Sequence, residues 1–259
     1  MTMGQDLRAW LPAGGFGEAL YVFDAVDSTN TTAAALAQDG AVEGTLVVAD
    51  HQRRGRGRGG SSWSTPAGTA IALSLVLRPS VNHPLRWMGL GAVAVVEGLR
   101  EEGLSAWIKW PNDVLLEGRK VAGVLAEAAW QGDLLSHLVL GIGVNVRSGS
   151  VPQQDPGYLA TCVDAHAGRA VDRPALIANI VGSLAVWYSK LESPRFLQFW
   201  EDRLAHKGER VRVEWGEEIR EGRLLGLGPE GEARLLLDDG REFRCDGGAR
   251  SLRPVASGG

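Results

Sequence analysis

The sequence predicts an α+β fold, in which a mainly antiparallel sheet is flanked by helices and followed by a small β-barrel. Tight turns join consecutive strand-like runs between residues 105 and 146, which is typical of an antiparallel meander. Two helical segments with clear start signals come next. From Glu209 onward, the chain changes to short strands with alternating apolar residues, a pattern typical of a small barrel.

The N-terminal part predicts three strands and a short helix. The runs "ALYVFDAV" (19–26), "GTLVVADHQ" (44–52) and "GTAIALSLVLRP" (68–79) have the composition of largely buried strands. Between the first two runs, "TTAAALAQ" indicates a helix that ends before Gly40. We expect the side chains just before it to cap its start, namely Ser28, Thr29 and Asn30.

The middle of the chain predicts one helix and the meander. Pro84 begins the helical run "PLRWMGLGAVAVVEGLREEG". The strand-like runs are "SAWIKWP", "DVLLEGRKVAGVLAEAAW", which folds at Glu117–Gly118, and "LLSHLVLGIGVNV". Short turns between these runs favour antiparallel neighbours over crossover connections.

The last two helices each begin with a capping residue followed by proline, at Asp172 and Ser193. The residue pattern changes near His206–Gly208, just before the short alternating strands begin. The sequence therefore predicts a main domain over residues 1–206 and a second domain over 207–259.

Composition narrows the function classes. The net charge of −4 argues against nucleic acid as the main partner, because such binding relies on extended positive surface. Cys162 and Cys245 are too isolated to indicate a disulfide framework or a zinc site. The N-terminus lacks the pattern of a signal peptide, and no apolar run is long enough to span a bilayer. These features predict a soluble cytoplasmic protein.

The segment "HQRRGRGRGGSSW" formally satisfies the dinucleotide fingerprint G-x-G-x-x-G through Gly55, Gly57 and Gly60. That fingerprint requires a helix directly after the glycines, so that a pyrophosphate lies at its N-terminus. Here Pro66 and Gly68 prevent a helix and a strand follows. The segment is therefore predicted to be a loop between two core strands rather than a dinucleotide-binding turn.

The same loop carries four arginines and is followed by Trp63. Arginine provides a permanently charged planar fork that suits phosphate or carboxylate, and glycine lets the backbone approach a ligand closely. The loop is thus predicted to close over an anionic, partly aromatic ligand. An RNA-binding segment is the alternative, although such segments usually lie in tails or linkers.

A second group of polar residues lies in "IKWPNDVLLEGRKVAG", namely Lys109, Asn112, Asp113 and Lys120. Asp113 and Lys120 flank a hairpin and are expected to face each other across it. A structural ion pair and a ligand site are equally compatible with this pattern. Asn145 lies in the apolar run "GIGVNV" and needs a hydrogen-bond partner, which is either a core group or a base edge.

These segments together resemble biotin protein ligases. The resemblance rests on Ser28-Thr29-Asn30, Gln52 with "GRGRGG" and Trp63, "KWPNDV" followed by "GRKVAGVLAE", and "GIGVNV", in this order and spacing. It covers residues 23 to 252, and "KWPND" followed by "RKVAG" is its most specific part. It implies a mixed, mainly antiparallel sheet backed by helices, with an SH3-like C-terminal domain that ends at "ARSLRP".

The resemblance also implies a reaction. Biotin and Mg²⁺-bound ATP would react to biotinyl-5′-AMP and pyrophosphate, and the biotinyl group would pass to a lysine of a biotin carboxyl carrier protein. That carrier would belong to an acetyl-CoA, acyl-CoA or pyruvate carboxylase. No histidine has metal-ligand spacing, so we predict no metal fixed by the protein itself.

Site residues follow from the same resemblance. Lys120, Arg56, Arg58 and Asp113 are expected to be catalytic, with Lys120 bridging the biotin carboxylate and the α-phosphate. For Asn112 and Asp113, the resemblance is also compatible with supporting contacts behind the site, with contacts to the metal and with contacts to the acceptor lysine. The expected biotin-binding residues are Ser28, Thr29, Asn30, Gln52, Gly55, Arg56 and Lys120. The expected adenylate-binding residues are Arg56, Arg58, Trp63, Lys109, Asn112, Lys120 and Asn145.

Two features set this sequence apart within that family. Ser61 and Ser62 stand where relatives often carry a basic residue, which we expect to loosen adenylate retention. About twenty residues precede the first strand, which leaves no room for a helix-turn-helix domain, so we expect no DNA binding.

A homodimer through sheet edges, a ligand-linked dimer and a monomer are all compatible with the sequence. Lipoate or octanoate transfer is the nearest alternative reaction, because the same fold supports it.

Overall fold

The computed structural model of the chain describes residues 3–11, 13–79, 83–152, 159–246 and 248–255. It contains a seven-stranded sheet in the order β1-β2-β3-β7-β6-β5-β4. Its strands are β1 (Leu20–Val26), β2 (Leu46–Gln52), β3 (Ala70–Leu77), β4 (Trp107–Lys109), β5 (Asp113–Leu116), β6 (Arg119–Gln131) and β7 (Leu134–Asn145). All neighbours pair antiparallel except β1 and β2, so the predicted mixed, mainly antiparallel sheet is confirmed.

Six α-helices are found in the described part of the chain. They are α1 (Met3–Trp10), α2 (Thr29–Gln38), α3 (Pro84–Glu101), α4 (Val163–Ala167), α5 (Arg173–Tyr188) and α6 (Pro194–Asp202). The side chains of Asp172 and Ser193 cap α5 and α6 as predicted. The sequence pattern missed α1 and α4, which are short and carry no capping signal that stands out from their surroundings.

The parallel pairing of β1 and β2 makes the sheet mixed, because α2 crosses over between them as in a β-α-β unit. The expected capping of α2 is corrected. Ser28 is the residue before α2, but its side chain makes no capping hydrogen bond within the described residues. Thr29 and Asn30 are the first residues of the helix rather than caps, and their buried side chains bond elsewhere.

The C-terminal part forms a second, five-stranded antiparallel sheet in the order β11-β10-β9-β8-β12. Its strands are β8 (Arg210–Trp215), β9 (Glu218–Leu227), β10 (Ala233–Leu236), β11 (Glu242–Cys245) and β12 (Ala249–Pro254). The predicted short strands and the hairpin at "DDGR" are confirmed. The division into domains 1–206 and 207–259 stays a prediction.

The second sheet contacts the main body through the turn between β9 and β10. The Trp110 indole donates a hydrogen bond to the Gly231 carbonyl oxygen at 2.9 Å. Buried Arg86 of α3 donates to the carbonyl oxygens of Leu191 and Pro229. Trp200 of α6 is fully buried and lies against Gly231. Arg253 of β12 is also close enough to Lys109 of β4 for an electrostatic interaction, so the second sheet approaches the β4–β5 hairpin.

α3 and α5 cover one face of the seven-stranded sheet, and most of their inward residues are fully buried. Within the described ranges, no helix is long and apolar enough to cross a membrane.

Candidate active site

A cavity of about 300 Å³ lies beneath the loop that joins β2 to β3. All of the residues predicted to form a site line it, except Gly55. Those lining residues are Ser28, Thr29, Asn30, Gln52, Arg56, Arg58, Trp63, Lys109, Asn112, Asp113, Lys120 and Asn145. Segments that are far apart in the sequence thus meet in one place.

One end of the cavity is lined by neutral hydrogen-bonding groups. Gln52, at the end of β2, accepts hydrogen bonds from the Thr29 backbone N–H at 2.8 Å and from the Thr29 hydroxyl at 3.1 Å. Its amide nitrogen donates to the Thr65 hydroxyl at 3.1 Å. Because Gln52 and Thr29 are buried, these bonds fix their orientation. We call Ser28, Thr29, Asn30, Gln52 and Ser74 the neutral end.

Ser74 of β3 supports the neutral end from behind the cavity lining, although the sequence reasoning did not select it. Its hydroxyl oxygen lies 2.8 Å from the Thr29 hydroxyl and 2.6 Å from the Asn30 side-chain oxygen. A hydroxyl has one hydrogen, so it donates to one of them at a time. Ser74 is fully buried in the otherwise apolar run "AIALSLVL". A buried hydroxyl requires a hydrogen-bond partner, so a serine within an apolar strand is the sequence signal that could have identified this residue.

The other end of the cavity is built on a buried carboxylate between two lysines. Asp113 at the start of β5 accepts from Lys109 Nζ at 3.1 Å and from Lys120 Nζ at 2.7 Å. The predicted approach of Asp113 and Lys120 across the hairpin is therefore confirmed. We call Lys109, Asp113 and Lys120 the charged end.

The neighbouring lysines keep the Asp113 carboxyl group ionised. Burial alone disfavours the Asp113 carboxylate, but the positive charges of Lys120 and Lys109 outweigh it and lower the pKa of Asp113. Burial also lowers the pKa of Lys109, and Asp113 partly offsets that effect. Asp113 is thus ionised at neutral pH, and its two oxygens are already occupied by lysine.

Arg58 joins the loop to both sheets. Its guanidinium donates to the Asn112 side-chain oxygen at 3.3 Å and to the Ala249 carbonyl oxygen on β12 at 2.9 Å. Burial lowers the pKa of Arg58, and the charge of Asp113 partly offsets this. Arg253 of β12 also lines the cavity, so the second sheet contributes a cation that the sequence reasoning did not select.

The loop itself folds back as a narrow hairpin. Trp63 N–H donates to the Gly55 carbonyl oxygen at 2.9 Å, and Gly57 N–H donates to the Ser61 carbonyl oxygen at 2.7 Å. A Cβ at Gly55 would lie 2.3 Å from the Trp63 carbonyl oxygen. Gly55 therefore permits the closure of the hairpin and does not line the cavity.

Trp63 lies flat against glycines of the sheet. A Cβ at Gly143 of β7 would come within 2.4 Å of its indole, so only glycine leaves room for the ring. The Lys120 ammonium lies 5.5 Å from the ring centroid. The indole N–H is buried and has no hydrogen-bond partner among the described residues. Buried Asn145 donates to the Thr161 carbonyl oxygen at 3.2 Å, so its side-chain nitrogen has a protein partner.

In the described ranges, no cluster of three or more histidine, cysteine or acidic side chains has the arrangement of a metal site. Asp113 is paired with two lysines and offers no free oxygen.

Comparison with known proteins identifies the family. The model of the biotin/lipoate A/B protein ligase family matches residues 22–145. A Bacillus subtilis protein named bifunctional ligase/repressor BirA is 35% identical over 246 residues, which cover 91% of this chain and 74% of that protein. The chain belongs to the biotin protein ligase family. The family predicted from "KWPND", "RKVAG" and the glycine-rich loop is thereby confirmed.

Other relatives agree with this assignment. The biotin–[acetyl-CoA-carboxylase] ligase of Paracoccus denitrificans is 34% identical, covering 83% of this chain and 93% of that protein. The biotin protein ligase of Aquifex aeolicus, solved in complex with biotin and ATP, is 30% identical with a TM-score of 0.77. That alignment covers 92% of this chain and 100% of the other. The predicted fold class and the predicted ligase class are therefore confirmed, whereas the roles of single residues stay predictions.

Proposed function

We propose that this chain activates biotin with ATP to biotinyl-5′-AMP and transfers the biotinyl group to a lysine of a biotin carboxyl carrier protein. The observation that carries the proposal is that a neutral end and a charged end lie in the same cavity, under one arginine-bearing loop. Biotin combines a neutral bicyclic ring with a carboxylate, and this pair of ends is complementary to it.

In the first step, a biotin carboxylate oxygen attacks the α-phosphorus of ATP, and the bond to the bridging oxygen of the β-phosphate breaks. Pyrophosphate leaves with that electron pair. Two anions must approach each other, so cations at the reaction centre lower the barrier. Lys120 is suited to this role because its ammonium faces the cavity and is held at 2.7 Å by Asp113. Arg56 and Arg58 would neutralise the carboxylate and the phosphates.

In the second step, the acceptor lysine amine attacks the acyl carbon of the mixed anhydride, the bond from that carbon to the phosphate oxygen breaks, and AMP leaves. The attacking nitrogen loses a proton to the surroundings. The same cations would stabilise the departing phosphate. A loop over the anhydride limits its hydrolysis by water.

The remaining site residues have proposed roles. Ser28, Thr29, Asn30 and Gln52 would bind the biotin ring through their amide and hydroxyl groups. Gly55 would support them by letting the loop close. The adenylate would be held by Trp63, Lys109, Asn112 and Asn145, with the purine beside the Trp63 ring. Asp113 would act by holding Lys109 and Lys120 in position.

Mg²⁺ would enter as part of the substrate MgATP. Its preference for phosphate and water oxygens agrees with a cavity whose carboxylate is already engaged by lysines. Further proposals are a carrier domain from an acetyl-CoA, acyl-CoA or pyruvate carboxylase and a cytoplasmic location. They rest on the family and on the sequence.

The test uses purified protein with MgATP and, separately, biotin, lipoate or octanoate. Pyrophosphate release and the mass of the acyl-adenylate are measured for the wild type, Lys120→Ala and the control Lys190→Ala. Lys190 lies over the Trp187 ring, away from the cavity. Biotin-dependent adenylate that is lost only in Lys120→Ala is the expected result. Adenylate with lipoate or octanoate alone would overturn the biotin assignment.

A further inference from the structure

A continuous series of hydrogen bonds runs from the base of the loop to one of its arginines. It begins at Gln52, which accepts from the Thr29 backbone N–H, passes through the Thr29 and Ser74 hydroxyls, Asn30 and Glu127, and ends at Arg56. It is continuous when the Thr29 hydroxyl donates to Ser74 and the Ser74 hydroxyl donates to Asn30. We call this series the polar chain. Gln52 and Arg56 are four residues apart in the sequence, but the polar chain connects them through α2, β3 and β6.

Glu127 is the member of the polar chain that links the sheet to the loop. On β6, Gly123 and Leu125 line the cavity, and Glu127 is the next residue on the same face because side chains alternate along a strand. Its Oε2 accepts from the Asn30 amide at 2.7 Å and from the Arg56 guanidinium at 2.9 Å. Glu127 itself is not part of the cavity lining.

The partners differ in how firmly they are held. Asn30 is buried at the start of α2, and its nitrogen also donates to the Leu125 carbonyl oxygen. Arg56 lies on the loop and is half exposed. Glu127 therefore joins a rigid group to a movable one, and the ion pair connects the loop to the wall of the cavity.

We propose that Glu127 is a positioning residue that clasps Arg56 and thereby keeps the loop closed over the cavity. Its carboxylate is directed by Asn30, so the clasp is built on the same side chains that form the neutral end. Under the proposed function, on which this part of the inference rests, the clasp retains the biotinyl-adenylate until the carrier lysine arrives. Glu127 acts through Arg56 and touches neither substrate.

Trypsin can measure how often the loop opens, because it cleaves after arginine and the loop contains Arg53, Arg54, Arg56 and Arg58. Limited proteolysis of the ligand-free full-length protein, followed by mass spectrometry, measures cleavage after Arg54 and Arg58. Glu127→Gln keeps the size of the side chain but removes its charge. We expect cleavage about two- to fivefold faster than in the wild type, as loss of a half-exposed ion pair allows.

Three further variants make the result specific. Glu221→Gln removes a comparable surface ion pair with Arg212 on the second sheet and should leave loop cleavage unchanged. Glu127→Asp keeps the charge and should restore part of the protection. In an Arg56→Ala background, Glu127→Gln should have no additional effect, because a clasp that acts through Arg56 gives non-additive changes. Thermal melting of each variant verifies that it is folded.

Adenylate retention is measured separately. Enzyme loaded with biotin and ATP is diluted, and the biotinyl-adenylate that remains bound is followed over time. Glu127→Gln should release it about two- to fivefold faster, with an unchanged amplitude of the first pyrophosphate burst. Equal trypsin cleavage in Glu127→Gln and the wild type, or an additive effect with Arg56→Ala, would overturn the clasp. Faster cleavage in a protein that forms no adenylate would support the clasp and contradict the proposed function instead.

Discussion

The neutral end and the charged end of the cavity are held by different parts of the fold. The neutral end lies where α2 begins beside β2 and β3, and its groups are fixed by short hydrogen bonds among buried residues. The charged end lies on the β4–β5–β6 hairpins, where Asp113 orients two lysines. The loop after β2 extends over both, with Arg56 bonded towards one and Arg58 towards the other.

The difference separates recognition from reactivity. Buried neutral groups discriminate by the geometry of their hydrogen bonds, because an unmatched ligand leaves them unpaired. Cations concentrated around one carboxylate contribute little geometric selectivity, but they stabilise charge that builds up during phosphoryl transfer. Substitutions at the neutral end should therefore change binding of the acid, whereas substitutions at the charged end should change the rate.

The largest effect is expected from Lys120→Ala. Removing the cation at the reaction centre should lower the rate of adenylate formation by a factor on the order of 10² to 10³. Single-turnover pyrophosphate release measures this rate directly. Lys120→Arg keeps the charge and should recover part of it. A wild-type rate in Lys120→Ala would contradict the proposal that the charged end determines the reaction rate.

A smaller effect is expected from Gln52→Ala at the neutral end. Two hydrogen bonds to Thr29 are lost and a buried N–H is left unpaired, so the biotin Kd should rise by about tenfold. The KM for ATP should stay close to that of the wild type. Titration calorimetry with biotin tests this, with Gln198→Ala on the surface of α6 as the control. An equal loss of ATP affinity would show that the ends are not independent.

The stability difference between the wild type and Asp113→Asn should depend on pH in a way that reports on the charged end. The pKa of Asp113 is lower in the folded protein than its ordinary value of 3.8. Its contribution to the free energy of unfolding is therefore fully present above that ordinary value and is lost as the pH falls through the lowered folded pKa. The difference in Tm between the wild type and Asp113→Asn should be constant between about pH 7 and 5 and shrink below about pH 4. A difference that grows as the pH falls would contradict this.

The smallest effect is expected at Cys245, which lies on β11 close enough to Arg58 for an electrostatic interaction. Burial, with the nearby charge of Asp246, raises the pKa of its thiol to about 12. A neutral buried thiol reacts slowly. Iodoacetamide at pH 8 should therefore leave Cys245 unmodified in the native protein and leave activity unchanged. Rapid alkylation would mean that the second sheet opens next to the charged end.

The charged end could be predicted from the sequence because its residues are close together in the chain. Asp113 and Lys120 lie on the two strands of one hairpin, so their side chains come within reach although the two residues are not paired directly. The neutral end was only partly accessible. Thr29 and Asn30 were selected but were expected to cap α2, since their true partners are distant in sequence. Ser74 lies 44 residues from Asn30, and Glu127 lies 71 residues from Arg56. Such contacts depend on sheet order, which local patterns do not determine.

A crystal structure of this protein with a non-hydrolysable biotinyl-adenylate analogue would test the division of the site most directly. We expect the biotin ring to bond to Thr29 and Gln52, the group replacing the phosphate to lie at Lys120, and the purine to lie beside Trp63. A ligand bound in the opposite direction, or outside this cavity, would contradict the division of the site into a recognising end and a reacting end.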